Sequence, residues 1–182
     1  MRIWNIAKIT LFFAVVVLVC RFVLLPFVFP RKYQKEIEHF SQEYHLPESL
    51  VYSVVFTESK FEHDAVSMKS AKGLMQIGEG TGEWAGGLLD ITEYNQEMLF
   101  EPQVNIKIGC WYLNKLIHQF DGTQTALAAY NAGSGNVSKW LQDSKYSDDG
   151  KNLKEIPYGE TKRYVKKVMI TQKIYQWLYD IE

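Results

Sequence analysis

The chain has 182 residues, 47% of them hydrophobic and 14% aromatic, enough for one sizeable core and too few for two large domains. All 21 acidic residues follow Pro30, while three of the 20 basic ones (Arg2, Lys8 and Arg21) precede it. The remainder therefore carries 17 − 21 = −4 and lacks the basic surplus of a nucleic-acid binder. Cys20 and Cys110 fall in segments of different character, so no disulfide is expected. No cluster of Cys or His has metal-ligand spacing, so neither a metal nor a cofactor is expected.

Ile9–Phe29 is apolar except at Thr10 and Arg21, and a bilayer span needs roughly 20 such residues. A cleaved signal peptide is the competing reading, with Arg2 and Lys8 as its charged front. However, no small-x-small cleavage site follows the run, and Val19 stands where a lipoprotein signal needs a small residue before Cys20. An uncleaved anchor over residues 1–30 is the expectation, with the Arg21 stem reaching toward the interface. Positive charge flanks the run on both sides (Arg2 and Lys8, then Arg31, Lys32 and Lys35), so charge does not set its orientation. Residues 31–45 read as an amphipathic connector helix that packs Ile37 and Phe40, and residues 46–182 as the folded domain.

Leu46–Ser59 reads as a helix, with Pro47 suited to its first position. Leu50, Val51, Val54 and Val55 recur at the spacing of a buried stripe, and the next position of that stripe is Glu58. Burial disfavours the charged carboxylate and raises its pKa, which leaves an acid able to protonate a leaving oxygen near neutral pH. Taken alone, a Glu at a helix end more often turns to solvent. His63, five residues on, reads as an ordinary histidine.

Lys60–Ser70 reads as a loop leading into a short helix around Lys69–Gln76. Ser67 by itself is a capping serine. Gly78–Gly87 holds five glycines in ten residues and reads as a loop, a wall of a groove; it lacks the Gly-Lys-Ser/Thr ending of a phosphate loop. Pro102–Phe120 reads as a long helix with Ile106, Cys110, Leu113 and Ile117 inward. Thr125–Asn131 is a short helix that Gly133 stops, so Tyr130 and Asn131 sit at its end. Val137–Leu141 is helical, Gln142–Leu153 a surface loop, and Glu160–Tyr179 a closing helix with Tyr164, Val168, Ile174 and Leu178 inward. No run of alternating strands occurs. The fold expected is all-α, with at most a small hairpin in Lys60–Gly87.

Three ordered motifs span residues 46 to 165. Glu58-Ser59-x-Phe61, Ala65-x-Ser67 and Ala71-x-Gly73-Leu74-Met75-Gln76-Ile77 resemble the catalytic motif of the soluble lytic transglycosylases, peptidoglycan-cleaving enzymes with a goose-lysozyme-like fold. Ala128-Ala129-Tyr130-Asn131-Ala132-Gly133-x-Gly135-x-Val137 resembles the second family motif. Ile156-Pro157-Tyr158-x-Glu160-Thr161-x-x-Tyr164-Val165 resembles the third.

The resemblance implies a lysozyme-like fold behind one membrane helix, Glu58 as general acid/base, and Ser67, Gln76, Tyr112, Tyr130 and Asn131 as substrate-binding residues. Ser59, Met75 and Glu160 are supporting residues. In the family the tyrosine at Tyr130 contacts the catalytic acid, and the glutamate at Glu160 fixes local structure. Two positions depart from the pattern: Gly78-Glu79 stands for the usual Met-Pro, and Ser70 for a Gly. The implied reaction cleaves the N-acetylmuramic acid to N-acetylglucosamine bond and leaves a 1,6-anhydro end. The implied partners are glycan strands and the membrane, and a cell-wall or secretion assembly is also compatible. The implied location is the plasma membrane with the domain on the cell-wall side. A hydrolytic muramidase and a non-catalytic glycan-binding part of an envelope assembly are the rival readings.

Overall fold

The computed structural model describes residues 2–182, with side chains from Lys8 onward; the Arg2 side chain, part of the charged N-terminal front, lies outside the described residues. Helix α1 (Arg2–Val19) runs through a π-helical turn (Cys20–Leu24) into the short α2 (Leu25–Val28). Within it, Lys8–Val28 is 21 residues long with a mean hydropathy of 2.8 and no share buried against the rest of the chain. It is the single stretch among the described residues long and apolar enough to cross a bilayer.

The domain is built from α3 (Gln34–Glu43), α4 (Glu48–Glu58), α5 (Glu79–Leu88), a 3₁₀ turn (Gln96–Phe100), α6 (Pro102–Gln119), α7 (Thr123–Ala132), α8 (Ser134–Leu141) and α9 (Gly159–Tyr179). No strand longer than an isolated bridge forms among the described residues, so the all-α expectation holds.

Helix α4 is the axis of the fold and packs against α9 and α3. Every residue from Ser49 to Phe56 is buried, so α4 has no wet face; it is threaded through the core as helices that are apolar all round must be. Its two core serines are both satisfied: Ser53 Oγ donates to the Leu50 carbonyl of its own helix at 2.7 Å, and Ser49 Oγ accepts from Gln172 on α9. Pro47 is the N-cap residue, one position before the first helical place expected for it. On α9 the inward residues are Thr161, Tyr164, Val165, Val168, Thr171, Tyr175 and Leu178. Ile174, expected inward, is half-buried, and its neighbour Tyr175 stacks on Tyr52 at 5.1 Å instead.

Two local expectations fail for identifiable reasons. The helix expected around Lys69–Gln76 does not form. Ser70, Gly73 and Gln76 all have positive φ, and the chain folds into a knot of turns with bridges from Val66 to Lys72 and from Lys72 to Ile77. This is the small hairpin in miniature. The Gly-rich stretch expected to be a loop is helix α5. Gly82 and Gly86 lie one turn apart on its buried face, and a Cβ at either would strike Tyr94. These glycines let the helix lie flat on a tyrosine ring; they do not unwind it.

Candidate active site

Glu58 is the last residue of α4. Ser59 closes the helix: its N–H donates to the Val55 carbonyl, its Oγ donates to that same carbonyl at 3.2 Å, and its Oγ accepts from the Phe61 N–H at 3.1 Å. Lys60 and Phe61 then take left-handed φ values of 57° and 67°, and the buried Phe61 ring packs near Tyr52 and Phe56. The chain turns away sharply at that point. This leaves the Glu58 side chain at the edge of the core, half-buried, facing a cleft of about 230 Å³ lined also by Ser67, Met68, Lys69, Ala71, Gln76, Asn131 and Glu160.

Burial pushes the Glu58 carboxyl up to about 7. Two weaker influences oppose it. The Tyr164 hydroxyl, one turn beyond Glu160 on α9, faces the carboxyl, and Lys167 adds positive field. Tyr164 Oη is buried and makes no regular hydrogen bond, so its approach to Glu58 is looser than a formed bond. Its own pKa is raised, by burial first and by the neighbouring Glu58 second, so it stays a neutral donor.

One wall of the cleft is the knot 65–77. Ser67 Oγ accepts from the N–H groups of Lys69 and Ala71 at 3.3 and 3.1 Å, so the serine shapes the loop while its side chain stays exposed to the cleft. Gln76 Nε2 donates to the carbonyls of Ala65 and Gly73, which fixes its amide at the cleft edge. Behind the wall, buried Asn105 holds three backbone groups at once. Its Oδ1 accepts from the Met75 N–H at 2.7 Å, and its Nδ2 donates to the carbonyls of Lys72 and Leu99. Gly73, with φ of +76°, passes too close to Leu99 and Asn105 for any side chain.

The opposite wall comes from α7 and the first turn of α9. Asn131 Oδ1 accepts from the Thr161 hydroxyl at 2.8 Å, which joins the two helices beside Glu160. Tyr130 does not bond the acid: its hydroxyl donates to the Met75 carbonyl at 2.9 Å. Thus Tyr130 clamps the knot within the field of Glu58, and the Tyr164 hydroxyl faces the acid more directly. Tyr112 stands beside Tyr130 at 5.5 Å between ring centroids and continues as an aromatic row to Trp84 and Trp111.

Of the residues singled out from sequence, Glu58, Ser67, Gln76, Asn131 and Glu160 share the cleft. Ser59, Met75 and Tyr130 support it from behind, and Tyr112 flanks Tyr130. His63 is exposed and outside the cleft lining. Tyr164 and Asn105 were not singled out. The signal for Tyr164 was its place four residues after Glu160 on an inward stripe. A lone Asn within a helix gave no signal for Asn105. Among the described residues no group of His, Cys, Asp and Glu is arranged to hold a metal ion.

An all-helical domain with a single burial-raised carboxyl at the end of its central helix, facing a polar cleft, defines the class. Residues 35–153 match the family described as Transglycosylase SLT domain, and the chain belongs to that family. It is 33% identical over 152 residues to the soluble lytic murein transglycosylase of Escherichia coli (strain K12), covering 82% of this chain and 24% of the relative. It is 29% identical over 176 residues to the membrane-bound lytic murein transglycosylase C of Cronobacter sakazakii, covering 80% of this chain and 46% of the relative. Lytic transglycosylase Slt of Pseudomonas aeruginosa, solved as an inactive mutant, superposes with a TM-score of 0.75 at 31% identity, over 86% of this chain and 26% of that one. The chain thus spans about a quarter of the length of the soluble relatives it matches.

Proposed function

We propose that the chain is a peptidoglycan lytic transglycosylase with Glu58 as its acid and base. The observation that carries this is a carboxyl held near pKa 7 by burial and open to a cleft lined by Ser67, Gln76, Asn131 and Glu160. Protonated Glu58 gives its proton to the oxygen bridging N-acetylmuramic acid and N-acetylglucosamine, and the C1–O bond breaks as positive charge builds at the muramic C1. The resulting carboxylate takes the proton of the substrate's own C6 hydroxyl, O6 closes on C1, and a 1,6-anhydro end forms. Atoms balance without water. Tyr164 acts as a positioning residue whose hydroxyl steadies the ionised carboxylate between the two steps. Ser67, Gln76 and Asn131 offer the strand its hydrogen bonds, and Tyr112 an aromatic face beyond Tyr130.

Glu160 favours a second reading. It lines the same cleft as Glu58, so a muramidase would find its second carboxylate there. Its place in the first turn of α9 suits a negative charge near the positive end of the helix dipole, in line with a supporting role.

The location that fits is a single-pass anchor through Lys8–Val28 in the plasma membrane, with the domain on the cell-wall side, where its proposed substrate lies. The deciding experiment is mass spectrometry of products from purified peptidoglycan treated with the detergent-solubilised full chain, beside Glu58→Gln. Anhydro-muropeptides from the wild type alone support the proposal. Reducing ends establish the muramidase, and no new products from either protein leave a glycan-binding module.

A further inference from the structure

Helix α9 carries five basic residues and one acidic one, a net of 5 − 1 = +4, whereas the whole chain after Pro30 has a net of −4. Lys162 pairs with Glu155 and Lys167 adds its field to Glu58, which leaves Arg163, Lys166 and Lys173 as the cations of one outer stripe. Arg163, Lys166, Ile170, Lys173 and Trp177 follow one another at spacings of three and four, a single stripe opposite the buried face of Val168 and Tyr175. Every member is exposed, Ile170 at 49% and Trp177 at 53%, and Met169 borders them at 36%. Glu155, the acid that borders the stripe, is paired with Lys162, and the cations, aliphatic side chains and tryptophan that remain suit a helix lying on an anionic bilayer surface.

The anchor's path shows what covers this stripe. Phe29 sits on the core side of α9: its ring meets Phe56 at 4.9 Å and Tyr175 at 6.1 Å, and its carbonyl accepts from Tyr179 Oη at 2.7 Å. Tyr175 Oη donates to the Pro30 carbonyl. Eight residues earlier, Arg21 lies over the Trp177 ring at 4.4 Å. Tyr175 and Trp177 point about 200° apart on the helix. From Phe29 back to Arg21, therefore, the anchor passes from the core side of α9 to its outer side. It borders the stripe at Trp177, the stripe's C-terminal member.

We infer that the outer stripe of α9 is a second membrane contact, which rests on anionic phospholipid headgroups with Trp177 at the interface beside Arg21. This rests on the reading of Lys8–Val28 as a span. Arg21 is the cation inside that apolar run, and Trp177 supplies it with a polarisable face at the level where tryptophan settles in membranes. Lys166 and Lys173 then meet lipid phosphates. The cleft residues Glu58 and Tyr164 lie on the other side of α9 and stay in water.

The test uses the full chain with Cys20→Ser and a fluorophore at Ile170→Cys; Cys110 is buried and stays unlabelled. A control label sits at Gln119→Cys, at the end of α6, which packs against α3, α5 and α7. Both proteins are reconstituted into vesicles of phosphatidylcholine with phosphatidylglycerol, or of phosphatidylcholine alone, and quenched by lipids brominated high on the acyl chain. The expected result is several-fold stronger quenching at 170 than at 119 in the anionic vesicles. Lys166→Glu with Lys173→Glu removes the difference, since each lysine shifts the docked equilibrium roughly fivefold. Equal quenching at the two sites in protein that floats with the vesicles overturns the inference and leaves the anchor intact. A difference of the same size in phosphatidylcholine alone overturns the anionic contact. Protein that does not float at all overturns the anchor and this inference with it.

Discussion

Glu58→Gln reports on the burial of the acid independently of its chemistry. The folded chain holds this carboxyl at about 7 against an ordinary 4.5, so between those values the folded state binds a proton that the unfolded state has released. Stability therefore falls as pH rises through that window. Below 4.5 both states are protonated and burial carries no ionic penalty; above about 7 the full penalty applies. A difference of that size corresponds to about 3 kcal/mol, reduced to about 2–3 kcal/mol by the open mouth of the cleft. Glutamine fills the same space without titrating. Hence Glu58→Gln should match the wild type in thermal unfolding near the lower end of the window. By pH 8 it should exceed the wild type by about 2–3 kcal/mol, or roughly 5–10 °C in Tm for a domain of this size. Other titrating groups are common to both proteins and cancel in the difference. A difference that stays flat from pH 4.5 to 8, or a variant less stable at pH 8, would refute the claim that burial sets the state of this carboxyl.

The remaining predictions concern its surroundings. Because the Tyr164 hydroxyl favours the ionised form of Glu58, Tyr164→Phe should move the alkaline limb of the pH–rate profile upward and lower the optimum rate roughly 10–100-fold; an unmoved limb would remove Tyr164 from its positioning role. Asn105→Ala strands the Met75 N–H and the carbonyls of Lys72 and Leu99, and should lower stability by about 3 kcal/mol in urea unfolding; a loss under 1 kcal/mol would mean the knot holds itself. In α5, Gly86→Ala should destabilise by about 1–3 kcal/mol because its Cβ meets the Tyr94 ring, while Gly87→Ala, facing open space, should stabilise by about 0.5–1 kcal/mol. Equal effects at the two glycines would show that Tyr94 is not what the glycines accommodate.

Much of this arrangement was legible in the chain. The long helices announced themselves by period, and Glu58 by its place after Val54 and Val55. The reason first given for its burial needs revision, however. Helix α4 has no single apolar side for Glu58 to share; the acid is half-buried because it ends a helix buried all round from Ser49 to Phe56, and it reaches the cleft because Ser59 and Phe61 end the helix there. Local composition misled where a distant partner decided the outcome. The glycines of α5 look like a loop until Tyr94 is known to lie under them, and nothing near Tyr94 says so. Likewise Asn105 and Met75 are 30 residues apart, and only the folded chain shows one as the bracket of the other. Tyr130 and Tyr164 stand in separate motifs with like side chains, and only the folded chain brings both within the field of Glu58.

Under the proposed function, the join between anchor and domain has a consequence for where strands are cut. From Phe29 to Tyr33 every residue but Lys32 is held: Phe29 and Pro30 by the two tyrosine hydroxyls, Arg31 by Glu48 at 2.7 Å, and Tyr33 by the core. The domain has no leash. A flexible tether would let it sweep a volume and meet strands at many heights, at an effective concentration set by tether length. A domain mounted without slack meets one height only. Its substrate would then be chosen by altitude above the bilayer before any sugar is recognised, and lengthening the join by a few residues of Gly and Ser would widen its diet without touching the cleft.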